Sequence, residues 1–143
     1  KISILDGDEI RQLISSELTL SKHHRSLNVR RIGYIANLIT YHGGISICSN
    51  ISPYKIDRDY NRQRIFTCGH YVEIFINSTL KDLIQRDPKG LYSKNHNHII
   101  ESYGQYEVPE NHELTVDTHL ERIDESVDKI YTYLENNNYL QSK

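Results

Sequence analysis

Apolar positions along the chain follow two different periods. The runs Ile2-Ser3-Ile4-Leu5, Ile45-Ser46-Ile47-Cys48-Ser49, Tyr71-Val72-Glu73-Ile74-Phe75-Ile76 and Leu114-Thr115-Val116-Asp117 are short and rich in β-branched or aromatic residues, which predicts four strands. Between them the spacing changes to that of one helix face. Ile10, Leu13 and Ile14 predict a short helix over residues 8–16, and Val29, Ile32, Ile35, Ala36 and Ile39 a longer one over 25–41. Residues 54–64 read as a polar-faced helix rich in Arg and Asp, and residues 80–86 as another. Ile123, Val127, Ile130 and Leu134 define a last amphipathic helix.

Turn residues separate these segments. Leu18-Thr19-Leu20-Ser21 breaks the first helical pattern, with Ser21 placed to cap the next helix, and Gly43-Gly44 closes the long helix. Pro88 takes the chain out of helical geometry. Residues 93–111 are polar and aperiodic, so a lid or substrate loop is expected over about 87–111. Strands alternating with helices imply an α/β fold, with a mostly parallel sheet covered on both faces, in a single domain spanning 1–143.

Composition narrows the function classes. A chain of 143 residues with 37% apolar and 25% charged content suits one soluble domain with a real core. A net charge of −2 gives no support for binding a nucleic-acid polymer, which wants a basic surface. No apolar run approaches a membrane span. Cys48 and Cys68 are too few and too far apart for a metal knuckle or a disulfide framework, so a cytoplasmic location is the expectation.

Candidate chemistry begins at the first dozen residues. Asp6 and Asp8 flank Gly7 at the carboxyl end of the opening strand, where ligands collect in open α/β sheets. Gly7 is expected to permit a sharp turn, Asp8 to cap the helix, and Arg11 to face the same crevice. Two acids and a base there suit a phosphorylated, metal-bound substrate. Arg25 and Asn28 lie near the start of the long helix, where anions are favoured and Arg can clamp phosphate. Ser49-Asn50-Ile51-Ser52-Pro53 places two hydroxyls at another strand's carboxyl end. Arg86-Asp87-Pro88-Lys89-Gly90 joins two cations to a glycine hinge, as in a flap over phosphates. Taken one at a time, each also reads as a helix cap, a solvated basic face or an ordinary turn. His96 and His98, at i, i+2 with no Cys or carboxylate cluster beside them, do not suggest zinc.

Together these segments resemble the adenylyl-sulfate (APS) kinase family along nearly the whole chain. Leu5-Asp6-Gly7-Asp8-Glu9-Ile10-Arg11 is similar to LDGDNIR, and Leu18-Thr19-Leu20-Ser21 with Arg25, Asn28, Arg30 and Arg31 to DLGFSxxDRxxNIRR. Ser49-Asn50-Ile51-Ser52-Pro53-Tyr54, with Asp57-Arg58-Asp59 after it, resembles SFISPY; Arg86 to Tyr92 resembles RDxKGLY and Tyr106 to Asn111 YExPEN. The resemblance implies a P-loop NTPase-type fold and transfer of the γ-phosphoryl of ATP, with Mg2+, to a nucleotide ribose 3′-hydroxyl. It implies that Asp8 orients or deprotonates that hydroxyl, that Asp6 lies near the metal, and that Ser52 matches a phosphorylatable serine. Arg11, Arg25 and Asn28 would hold the acceptor's anionic bridge, Ile51 would line its pocket, and Arg86 and Lys89 would belong to the ATP lid. Family members are often dimers, so a homodimer is one expectation.

Three departures qualify the resemblance. The glycine-rich GxxxxGK[ST] loop does not occur in this sequence. In the family it lies just upstream of where this chain begins, so the chain is expected to be the latter part of a longer protein; the rival is a non-catalytic nucleotide-binding or regulatory relative. Leu20 stands where the family has one of two adenine-stacking phenylalanines, and Tyr103 is the aromatic nearest the place of the second. Asn50 replaces the phenylalanine beside Ile51. These changes cluster on the base, which leaves two acceptors open, adenylyl sulfate and cytidine diphosphoramidate, the substrate of a capsule-modifying relative.

Overall fold

A computed structural model describes residues 1–87 and 106–140. The chain divides into two compact units, Lys1–Tyr71 and Val72–Lys143. Lys89, Tyr103 and most of the expected 87–111 lid lie outside the described residues.

The first unit contains β1 (Ile2–Asp6), α1 (Gly7–Leu13), α2 (Lys22–Tyr41), β2 (Ile45–Ser49) and α3 (Lys55–Ile65). β1 and β2 pair in parallel from Ile2 opposite Ile45 to Asp6 opposite Ser49, so their carboxyl ends lie side by side. α2 makes the long crossover that parallel pairing needs. It starts at Lys22, earlier than the apolar pattern suggests, because Ser21 Oγ accepts from the His24 amide at 3.3 Å. α1 is shorter than expected. Arg31 draws the chain out of the helix by donating to the Ile14 carbonyl (3.1 Å) and to the buried Ser15 hydroxyl (3.2 Å).

Leu5, Ile10, Ile32, Ala36 and Ile65 form the core of this unit, with Ile35, Ile39 and Tyr71 packed against it. Full burial of such an aliphatic side chain contributes about 1.5–3 kcal/mol. Within this unit the helices cover the Leu5 side of the strand pair. Ile2, Ile4, Ile45 and Ile47 on the other side are exposed.

α3 also departs from its reading. Its polar residues Asp57, Arg58 and Asn61 are buried instead of facing water. They can be buried because partners wait for them: Arg30 Nε donates to Asp57 Oδ1 at 2.7 Å, and Asn61 Nδ2 donates to the Val29 carbonyl at 3.1 Å. Gly33 makes room for this contact, since a Cβ there would lie 2.1 Å from Asn61 Oδ1.

The second unit contains β3 (Ile74–Asn77), α4 (Leu80–Arg86), β4 (Leu114–Asp117) and α5 (Ile123–Asn136). β3 and β4 are parallel, with Ile74 opposite Leu114 and Asn77 opposite Asp117. The ladder begins at Ile74 instead of Tyr71, and the Glu73 amide donates to the Glu113 carboxylate at 2.6 Å. Thr79 caps α4 by accepting from the Asp82 amide. Val116 is buried, whereas Ile123 and Val127 of the predicted α5 stripe are exposed. No helix among the described residues is long and apolar enough to cross a membrane.

Candidate active site

The parallel register of β1 and β2 sets Asp6 beside Ser49 at one edge. The helix after β1 begins at Gly7, one residue earlier than expected, and this changes which acid caps it. Asp6, in extended geometry, is the N-cap: its Oδ1 accepts from the amides of Asp8 (2.9 Å) and Glu9 (3.1 Å). Asp8 therefore does not cap. It stands in the first turn with an exposed side chain, at the positive end of the helix dipole.

Gly7 also serves a purpose other than the sharp turn expected of it. It lies outside the left-handed region, but a Cβ there would come within 2.9 Å of Asn50 Cβ and 3.2 Å of the Ser49 carbonyl. The missing side chain lets the acidic turn and the loop after β2 touch.

The arginines organise the loop between α1 and α2. Arg11 Nη1 reaches the carbonyls of Leu18 (3.4 Å) and Thr19 (3.2 Å), and Arg25 Nε donates to the Leu20 carbonyl at 2.8 Å. Arg11 is thus directed to this loop as well as being placed one turn beyond Asp8. His24 Nδ1 lies 2.9 Å from both the amide and the hydroxyl of Thr19, which fixes the same segment. Leu20 itself is 68% exposed. Asn28 is buried, yet its Oδ1 has no hydrogen-bond partner among the described residues. A buried acceptor in that condition is one that a bound donor would satisfy.

After β2 the chain passes through Asn50, Ile51 and Ser52. Ser52 has φ +44°, a left-handed conformation that costs a non-glycine residue about 1–3 kcal/mol. Ile51 is exposed, whereas Pro53 and Tyr54 are buried, and the Lys22 ammonium sits 5.0 Å from the centre of the Tyr54 ring. Arg58 Nη1 donates to the Ser52 carbonyl at 2.8 Å. Tyr54, Asp57 and Arg58 belong to the motif read in the sequence around Ser52, but that reading gave them no role. The usable signal was an Asp-Arg pair in the first turn of the helix after the serine loop.

In the second unit, Arg86 closes a cluster at the carboxyl ends of β3 and β4. Its Nη1 and Nη2 donate to the Thr118 hydroxyl (3.2 Å) and carbonyl (2.5 Å). The Thr118 hydroxyl donates to the Asn77 carbonyl (3.0 Å), and Asn77 Nδ2 donates to Asp117 Oδ1 (2.6 Å). Asn77, Asp117 and Thr118 carry no signal of this cluster in the sequence. Among the described residues no group of three His, Cys, Asp or Glu side chains could hold a metal ion. The acidic turn of the first unit offers two carboxylates, Asp6 and Asp8, with Gly7 between them. Mg2+ in kinase sites is bound by one or two carboxylates, with substrate phosphates and water supplying the other oxygens.

Comparison with known proteins gives a consistent result. A family profile described as adenylylsulphate kinase matches residues 1–117. An adenylyl-sulfate kinase of Rippkaea orientalis is 43% identical over 143 residues, covering 97% of this chain and 77% of that protein. Among solved structures, the Mycobacterium tuberculosis APS kinase CysC in complex with AMPPNP and APS superposes with a TM-score of 0.84 at 30% identity, covering 92% of this chain and 79% of that one. A hexameric APS kinase from Thiobacillus denitrificans gives a TM-score of 0.75 at 39% identity, covering 99% of this chain and 24% of that one.

Proposed function

The chain belongs to the adenylyl-sulfate kinase family, with its α/β fold of P-loop NTPase type, and from that premise we propose that it phosphorylates the ribose 3′-hydroxyl of adenylyl sulfate with ATP as the donor. The observation that carries this reading is the contact of Gly7 with Asn50, which sets the Asp6–Asp8 turn against the Ser52 loop at the carboxyl ends of two parallel strands. The family match runs through both compact units, which supports one kinase domain over 1–143.

Phosphoryl transfer needs little covalent help from the protein; positioning and charge neutralisation supply most of the rate. Asp8, exposed at the head of α1, accepts or orients the 3′-hydroxyl proton. Asp6 is the residue that would hold Mg2+, which when bound supplies charge neutralisation on the transferred phosphate. Arg11 and Arg25 bear on the acceptor's anionic bridge while fixing the 18–20 loop, and the unpartnered Asn28 Oδ1 accepts from the acceptor. Ile51 lines the pocket beside Asn50 and Leu20, and Ser52 stands at its edge as the phosphorylatable serine. Arg86 and Lys89 act on the ATP side, and Tyr103 near the base. The proposed assembly is a homodimer.

Leu20 supports a second acceptor, cytidine diphosphoramidate, because a smaller base needs less stacking area than a phenylalanine provides. The test is a parallel assay of the natural full-length protein with MgATP and each acceptor, tracking 3′-phosphorylated product. Turnover of adenylyl sulfate is expected to exceed that of cytidine diphosphoramidate by a large factor. The reverse order moves the proposal to the cytidine nucleotide, and no product from either leaves the non-catalytic relative.

A further inference from the structure

We infer that Arg58 is a positioning residue for acceptor binding, acting through the backbone of Ser52; this rests on the kinase function proposed above. Ser52 occupies a left-handed conformation that a serine does not favour, so something outside the residue must hold it there. The Arg58 guanidinium is that restraint, with Nη1 2.8 Å from the Ser52 carbonyl. Arg58 is itself only 5% exposed, so the contact is built into the unit and does not compete with solvent.

The residue before Arg58 anchors the same turn from the other side. Asp57, fully buried, accepts from Arg30 Nε at 2.7 Å, and Arg30 lies on α2 two residues after Asn28. The first turn of α3 therefore ties the Ser52 loop to the helix that carries Arg25 and Asn28. Asp57 and Arg58 divide the work: one grips α2, the other grips the loop. Displacing the Ser52 carbonyl would move Ile51 and the Ser52 hydroxyl relative to Asn28, so the acceptor would be held less tightly. Arg58 itself does not touch the acceptor, and the ATP side does not depend on it.

The experiment compares Arg58→Met and Arg58→Lys with the wild type in the natural full-length protein. It measures KM for adenylyl sulfate, KM for ATP, kcat, melting temperature, and the melting shift produced by adenylyl sulfate alone. Arg58→Met is expected to raise KM for adenylyl sulfate tenfold or more and leave KM for ATP within twofold. Arg58→Lys, which keeps charge and donor, should fall between. If Arg58→Met does not fold, Arg58→Lys decides, because a several-fold rise in KM for adenylyl sulfate alone is still required of it. A folded variant with lower melting temperature but wild-type KM for adenylyl sulfate overturns the inference, since a purely structural arginine would behave that way. A wild type with neither turnover nor melting shift on adenylyl sulfate refutes the kinase function instead. Wild-type turnover that survives unchanged in both variants refutes only the role of Arg58.

Discussion

Gly7 lies against Asn50 with no space for even a methyl group, the added Cβ falling 2.9 Å from Asn50 Cβ and 3.2 Å from the Ser49 carbonyl. Both neighbours are stiff, one being a Cβ and the other backbone, so neither can swing aside. Gly7→Ala should therefore push the β2–α3 loop away from the acidic turn, at an overpacking cost of about 1–3 kcal/mol. Urea denaturation checks the stability loss, and KM for the acceptor should rise with it. An alanine variant with wild-type values for both would show that the two segments move independently.

Asp6 combines two tasks that one pair of substitutions separates. Its Oδ1 caps α1 through the Asp8 and Glu9 amides, and we propose that its charge also serves Mg2+. Asparagine caps as well as aspartate, whereas alanine does not cap and costs about 1 kcal/mol. Asp6→Asn should keep the wild-type melting temperature while losing turnover and requiring more Mg2+. Asp6→Ala should lose stability in addition. Equal melting temperatures for the two variants would remove the capping role.

The parts of this arrangement that were legible in the sequence are those fixed by local pattern. The strand at Ile45–Ser49, the Ser21 cap and the α2 stripe of Val29, Ile32 and Ala36 come from period and turn chemistry alone. What pattern could not reveal was decided by tertiary partners. Asp57, Arg58 and Asn61 look like a solvated face, because nothing local says that Arg30, the Ser52 carbonyl and the Val29 carbonyl will meet them. The capping acid was misplaced for a smaller reason: a cap at Asp8 needs a helix starting at Glu9, whereas α1 begins two residues earlier, and a cap belongs to the residue before the first helical one. Gly7 was correctly singled out but for the wrong constraint, since close approach between segments leaves no mark on either segment's own sequence.

Asp8 is exposed in the first turn of α1, where Asp6 and not Asp8 supplies the cap, and asparagine keeps the size and shape of its side chain. Asp8→Asn is accordingly expected to preserve the melting temperature and cut kcat by about 10²–10⁴, the range of a lost general base. Steady-state kinetics under saturating MgATP measures it. Retention of near-normal kcat would transfer the proton-handling role to another group.

Glu121 offers a pH signature in the second unit. The Lys129 ammonium, donating at 2.7 Å, and then the Asp117 amide at 3.2 Å hold its carboxyl below the usual carboxylate range. A lowered folded-state pKa means that the stabilisation is present above the unfolded pKa and disappears as pH falls through the folded one. Glu121→Gln should thus melt below the wild type near neutrality, and the difference should close in acid. Because Lys129 is exposed and Glu121 half-buried, the difference should also shrink in part in high salt. A gap independent of both pH and salt would point to packing as its cause.

Leu20 gives the sharpest handle on the base. Arg25 fixes the Leu20 carbonyl at 2.8 Å while the side chain remains 68% exposed, so the backbone is placed and the surface above it is open. A phenylalanine at this position would gain ring area for stacking without meeting a packed neighbour first. Base stacking contributes on the order of 1–3 kcal/mol, so Leu20→Phe should lower KM for adenylyl sulfate roughly tenfold, provided that adenine lies over this residue. The same substitution should change KM for cytidine diphosphoramidate less, a pyrimidine offering a smaller face. Comparing the two ratios in one variant removes any general effect on folding or on ATP. If neither KM moves, Leu20 is outside the base pocket, and the departure from the family pattern at this position has no bearing on which nucleotide is used.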